Sequence, residues 1–169
     1  MSNTPAPGLY TPEQRARRDA TVWTPVQGVL APVQFLMFLI SLGLVVYSLR
    51  TGQMTDWALA SVVAKTGLLY AIMVTGCIWE KVVFGKYLFA PAFFWEDVVS
   101  MGVMVLHTAY LWVWLQGLWS ANEQLALALV AYAAYAFNAL QYLRKLRMAR
   151  LQARHPEPQR PLATQGAAS

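Results

Sequence analysis

Four long apolar stretches, Val26 to Leu49, Ala58 to Phe84, Phe93 to Trp119 and Gln124 to Leu143, constrain this chain more than any other feature. Each is close to the ~20 residues that an α-helix needs to cross about 30 Å of hydrocarbon. In that solvent every backbone amide must find its partner inside the segment, so a helix is the form such a run takes. The connections are short, which makes successive helices antiparallel neighbours. The expected fold is all-α, a polytopic membrane protein with four transmembrane helices in an antiparallel bundle over residues 22–143. A polar N-terminal arm (residues 1–21) precedes it and a basic, disordered tail (residues 144–169) follows.

Only 12% of the residues are charged, about half of the ~25% usual in soluble domains, so a lipid bilayer is the expected surrounding. The first residues are polar and no small-residue cleavage site closes the first apolar run, so no cleaved signal peptide is expected. The net charge of +5 does not point to nucleic acid, because the basic residues collect at the ends of apolar segments, where they set topology. Eleven of the 13 fall on one side: Arg15, Arg17 and Arg18, then Lys81 and Lys86, then Arg144, Lys145, Arg147, Arg150, Arg154 and Arg160. Both termini are therefore expected in the cytoplasm, with the protein in the bacterial inner, intracytoplasmic membrane. Trp23, Trp79 and Trp95 fall near that interface and Trp57 and Trp119 near the other, where an indole satisfies its apolar body and its one N–H together. Pro32 removes a backbone N–H and should kink the first helix unless that helix begins after it. Cys77 is the lone cysteine and is expected to pack, with no disulfide partner in the chain.

Ionisable groups within such segments cost about 2.5–3.5 kcal/mol each on insertion scales, and commonly mark function. Here they are Lys65, Glu80, Lys81, Glu96, Asp97 and His107. Lys65 and Lys81 have stems long enough to snorkel to water, which is their expected role. Glu80 beside Lys81 reads equally as an interfacial ion pair or as part of a site. Glu96 and Asp97 follow Pro91 at a helix start, where an acidic residue complements the positive end of the dipole, yet capping accounts for one carboxylate better than for two. Eleven steps of about 100° return His107 to within about 20° of the face of Glu96, so Glu96, Ser100, Val103 and His107 form one stripe. The rise along it is about 16 Å, too far for a catalytic dyad but suited to two ends of one large ligand. A lone intramembrane histidine equally suits a hydrogen bond between helices. The connection FGKYLFAPAFFW makes a bent aromatic lip at the same interface, a surface suited to flat ligands.

The stretches LYTPEQRARRDATVW, TPVQGVLAPVQFLMFLISLGLV, VAKTGLLYAIMVTGCIWEKVVFGKYLFAPAFFWEDVVSM and LHTAYL, over Leu9 to Leu111, resemble the 3-vinyl bacteriochlorophyllide hydratases of bacteriochlorophyll biosynthesis. IWEKVVFG and LFAPAFFWEDV carry the resemblance most specifically, and the fourth helix and the tail do not add to it. The resemblance implies a hydro-lyase that adds water to the vinyl group of a magnesium chlorin, giving a 1-hydroxyethyl group, with no redox cofactor. It carries no residue assignment, so roles follow from placement. Burial and a neighbouring carboxylate both favour the neutral carboxyl, so one of Glu96 and Asp97 is expected to hold a proton while the other stays anionic. One of that pair is the expected proton donor, with Glu80 positioning water or acting as the alternative acid. His107 is a candidate axial ligand of the substrate's magnesium. Tyr87, Phe94 and Trp95 would touch the macrocycle, and Lys86 or the arm's arginines its free carboxylate. A non-catalytic pigment-binding or assembly protein is the competing reading, and other pigment-biosynthesis enzymes are candidate partners in either case.

Overall fold

The computed structural model describes residues 9–154 of the chain, with side chains to Met148. Its elements are five helices: α1 (Pro12–Ala20), α2 (Trp23–Thr51), α3 (Thr55–Phe84), α4 (Phe94–Leu115) and α5 (Ala121–Arg154). Helices α2 to α5 are each long and apolar enough to cross a membrane, and no strand occurs among the described residues. The all-α architecture is the one that the apolar run lengths demand. Helix α2 lies along α3 and α4 along α5, and the two hairpins face each other to close the bundle.

The helix ends follow local chemistry. Gly52 and Gly85 take φ of 71° and 82° and donate their N–H groups back to Ser48 and Lys81, closing α2 and α3 with a left-handed residue that costs glycine little. Helix α4 stops at Leu115, short of Trp119, because Gly117 and Trp119 both turn to positive φ. At the start of α5, Ser120 and Glu123 cap each other: the Ser120 N–H donates to Glu123 Oε2 at 2.7 Å, and the Glu123 N–H donates to Ser120 Oγ.

Three further boundaries differ from the sequence expectation. The arm is partly helical, since Thr11 and Gln14 form a reciprocal capping box with Pro12 in the first turn. Helix α2 begins at Trp23, so Pro32 lies within it. Helix α5 passes Leu143 without a break and reaches Arg154; the disorder expected of the tail concerns residues 155–169, which lie outside the described residues.

The interior mixes small, aromatic and polar side chains. Lipid gives helices no hydrophobic drive to associate, so close backbone approach and interhelical hydrogen bonds must hold them. Ala58, Ala128 and Ala131 are fully buried and allow that approach. Phe38 on α2 meets Tyr132 and Tyr135 on α5 at ring-centroid distances of 5.5 and 5.0 Å. Beside them Ser41 Oγ bonds both Ser61 Oγ at 2.6 Å and Tyr132 Oη at 2.5 Å, linking three helices. Leu36, Ile40, Val105 and Trp112 point outward, as lipid-facing residues should.

Candidate active site

The last turn of α3, the loop after it and the first turn of α4 converge at one end of the bundle, the end that also carries α1. Glu80, Glu96 and Asp97 are all buried there, at 4%, 9% and 5% exposure. They do not group as their order in the chain suggests. Adjacent residues on a helix diverge by about 100°, and Glu96 and Asp97 accordingly find different partners. Glu96 turns to α5, where Lys145 Nζ donates to its Oε2 at 2.6 Å. Asp97 turns to α3, where its carboxyl and that of Glu80 lie within hydrogen-bonding reach of each other.

The loop between α3 and α4 fixes both members of that pair. The Ala90 N–H donates to Glu80 Oε1 at 2.6 Å and the Phe89 N–H donates to Asp97 Oδ2 at 2.8 Å. Phe89 adopts φ of 60° to present its N–H in this way, a left-handed backbone that a bulky residue takes only when its surroundings compel it. Tyr142 of α5 completes the shell, its hydroxyl 3.5 Å from Asp97 Oδ1. Neither carboxylate caps α4, whose first turn has no side-chain cap. Lys81 does not pair with Glu80: it donates to the Gly85 carbonyl at 3.0 Å and lies over the Tyr87 ring.

Around the acids the aromatic lip is real. Phe93 is buried against Trp79 and Phe84, each at 5.8 Å, while Phe89, Phe94 and Trp95 form a row of ring contacts, Phe94 at 5.7 and 5.4 Å from the other two. Tyr87, Phe94, Trp95 and Lys86 are all exposed at this end. The rings meet at angles, Phe89 and Phe94 at 52° and Phe94 and Trp95 at 84°, so the row is an exposed but faceted aromatic surface.

His107 is buried, as its stripe with Glu96, Ser100 and Val103 requires, and the magnesium-ligand role expected of it would have to displace one of its hydrogen bonds. Nδ1 lies 2.8 Å from the Val103 carbonyl and must donate to it, so Nε2 carries the lone pair, and that lone pair accepts from Lys65 Nζ at 2.8 Å. Both nitrogens are committed and the ring is fully enclosed. Lys65 also departs from expectation, since it does not snorkel. Its Nζ is buried over the Tyr135 ring at 3.8 Å and near Tyr132 at 5.3 Å. The signal for this was present in α3, where Ala58, Ser61, Val62, Lys65, Thr66 and Leu69 repeat at helical spacing on one inward face.

Residues 10–148 match the family described as 2-vinyl bacteriochlorophyllide hydratase (BCHF). The chain belongs to that family. A 2-vinyl bacteriochlorophyllide hydratase from Cereibacter sphaeroides is 65% identical over 143 residues, 85% of this chain and 89% of that protein. One of the same name from Rhodobacter capsulatus is 62% identical over 145 residues, 86% of this chain and 84% of that protein. No solved structure matches. The names of the family and of these relatives number the vinyl position 2, where the resemblance above numbers it 3; the reaction class is the same. The bacteriochlorophyllide hydratase match also runs beyond Leu111 through most of α5, the helix that supplies Tyr142 and Lys145 to the acids. Sequence reading missed both, because a tyrosine and a lysine near a helix end look like interfacial anchors until the register of α5 against α4 is known.

Proposed function

We propose that this chain hydrates the vinyl substituent of a magnesium bacteriochlorophyllide or related chlorin, producing the 1-hydroxyethyl derivative during bacteriochlorophyll biosynthesis. Family membership supports the reaction class, and the names of the two relatives support the substrate class. The observation that carries the assignment of chemistry is the buried Glu80–Asp97 pair under an exposed aromatic row. Two carboxyl groups in mutual hydrogen-bonding reach are stable in an oily setting when one of them keeps a proton, and a proton is what the first step consumes.

The carboxyl of this pair gives its proton to the terminal vinyl carbon. The π electrons form the new C–H bond, leaving a cation on the inner carbon that conjugation spreads into the macrocycle. The carboxylate left behind, with its partner, stabilises that charge at short range. Water then forms the C–O bond at the inner carbon and passes its surplus proton to the carboxylate, which restores the acid. Vinyl plus water becomes 1-hydroxyethyl, with no electron gained or lost. The Phe89 and Ala90 N–H groups hold both carboxyls in place. Glu96 is held by Lys145 at 2.6 Å, turned toward α5 and away from the pair, and takes no part in the proton transfer.

In this proposal the macrocycle lies on Phe89, Phe94 and Trp95, with Tyr87 at its rim and Lys86 or an arm arginine on its free carboxylate. The protein spans the inner, intracytoplasmic membrane with both termini in the cytoplasm, and takes its pigment from the bilayer or from a neighbouring biosynthetic enzyme. The test is a vinyl chlorophyllide assay on the chain in vesicles. Wild type hydrates the pigment, while Glu80→Gln and Asp97→Asn bind it without converting it. A wild-type chain that binds pigment and never converts it is a carrier and overturns the proposal.

A further inference from the structure

We infer that Gln34, Asn138 and Gln141 form a water-binding site between α2 and α5, one helical turn deeper than the carboxyl pair, which supplies the water that the reaction consumes. The inference rests on the hydration proposed above. Its starting point is a set of buried amides that the fold does not satisfy. Gln34 is 2% exposed and neither its Oε1 nor its Nε2 has a hydrogen-bond partner among the described residues. Asn138 is 9% exposed, and its Oδ1 lacks a partner, as does Oε1 of Gln141. In a hydrocarbon-embedded bundle, orphaned amides at this density are costly, and leucine in place of Gln34 would pack without the cost.

Helix register brings Gln34 and Asn138 to one level, with Gln141 one turn nearer the acids. Phe38 of α2 rests on Tyr135 of α5. The two helices run in opposite directions, so one turn toward the acidic end from Phe38 is Gln34, and one turn from Tyr135 is Asn138. Gln141 follows one turn later. Asn138 is also wired to the acids: its Nδ2 donates to Ser100 Oγ at 2.8 Å, Ser100 is one turn along α4 from Asp97, and Tyr142, one turn along α5 from Asn138, reaches Asp97 Oδ1. The polar side chains of Asn138, Ser100 and Tyr142 therefore lie between the amides and the carboxyl pair.

The donor and acceptor inventory selects the ligand. The orphaned atoms are one amide nitrogen and three amide oxygens. An anion would need donors and a bare cation only acceptors, whereas water both donates and accepts. The site is neutral, so it holds water without competing for the proton shared by Glu80 and Asp97. Water relayed from here supplies the oxygen of the new C–O bond and returns its surplus proton to the carboxylate.

The test uses the full chain in vesicles. A short X-ray pulse generates hydroxyl radicals in bulk and bound water alike, and a buried side chain is labelled where water is bound beside it, so Tyr135, 8% exposed beside the site, should be labelled far above Tyr110, 0% exposed toward the other end, by more than that difference in exposure accounts for. In Gln34→Leu and Asn138→Leu that excess labelling should vanish. Gln34→Leu should melt no lower than wild type and Asn138→Leu somewhat lower, since it loses the bond to Ser100, and both should hydrate the vinyl pigment at least about tenfold more slowly. Tyr135 labelled no more than Tyr110, or leucine variants that hydrate at the wild-type rate, overturn the inference. A wild-type chain that hydrates nothing overturns the reaction instead, and labelling alone then decides whether water is bound.

Discussion

Glu80 and Asp97 belong to different helices, yet consecutive backbone N–H groups of the connecting loop hold them both, Phe89 on Asp97 at 2.8 Å and Ala90 on Glu80 at 2.6 Å. The connection is thus part of the acid pair and not merely a link between α3 and α4. A fixed geometry for both carboxyls and an aromatic surface follow from one short run of residues.

Glu80→Gln and Asp97→Asn should each lower the hydration rate by about 100-fold or more, the usual scale for loss of a general acid. The double variant should be little worse than either single one, because the two groups act as a unit. Steady-state assays of the three variants check this, with pigment binding measured alongside.

Phe89→Gly should keep the turnover rate and raise KM, since glycine accepts φ of 60° and retains the N–H while removing a ring from the lip. Phe89→Val should lower the yield of folded protein, because a β-branched residue in that backbone region costs about 1–2 kcal/mol. Comparing kcat and KM for the two variants separates the backbone role from the aromatic one.

Lys145→Met leaves Glu96 buried without its cation. The pair is partly exposed, at 24% and 12% for the two side chains, so the loss should be about 1–2 kcal/mol, below the figure for a fully buried pair. Adding Glu96→Gln should recover most of it. A double-mutant cycle on thermal unfolding in detergent reads the coupling.

His107→Leu should destabilise the fold by about 1–3 kcal/mol, because it strands the Lys65 ammonium in the bundle core. Lys65→Met combined with His107→Leu should restore stability, and neither change should alter the affinity for the magnesium chlorin. Weakened pigment binding in the double variant would restore His107 as a ligand.

The spans were legible because run length against bilayer thickness leaves one solution, and the inward stripe of α4 because helical spacing is regular. The pairing of the acids was not. Nothing local reveals that Asp97 faces Glu80 while Glu96 faces Lys145; that depends on the rotation of α4 between α3 and α5. Lys65 was misjudged for a related reason. A lysine near a span end can snorkel, and only the small, inward-facing neighbours Ala58, Ser61 and Val62 indicate otherwise. The end of α5 was not legible because Arg144, Lys145 and Arg147 end the apolar run, although they are good helix formers and the helix continues through them.

The most direct measurement is incubation of the purified chain in vesicles with a vinyl magnesium chlorin in H₂¹⁸O, followed by mass analysis of the pigment. Wild type should yield a 1-hydroxyethyl product carrying one ¹⁸O, and Asp97→Asn should yield almost none. Unconverted pigment with the wild-type chain, or equal labelling by wild type and Asp97→Asn, would contradict hydration by the Glu80–Asp97 pair.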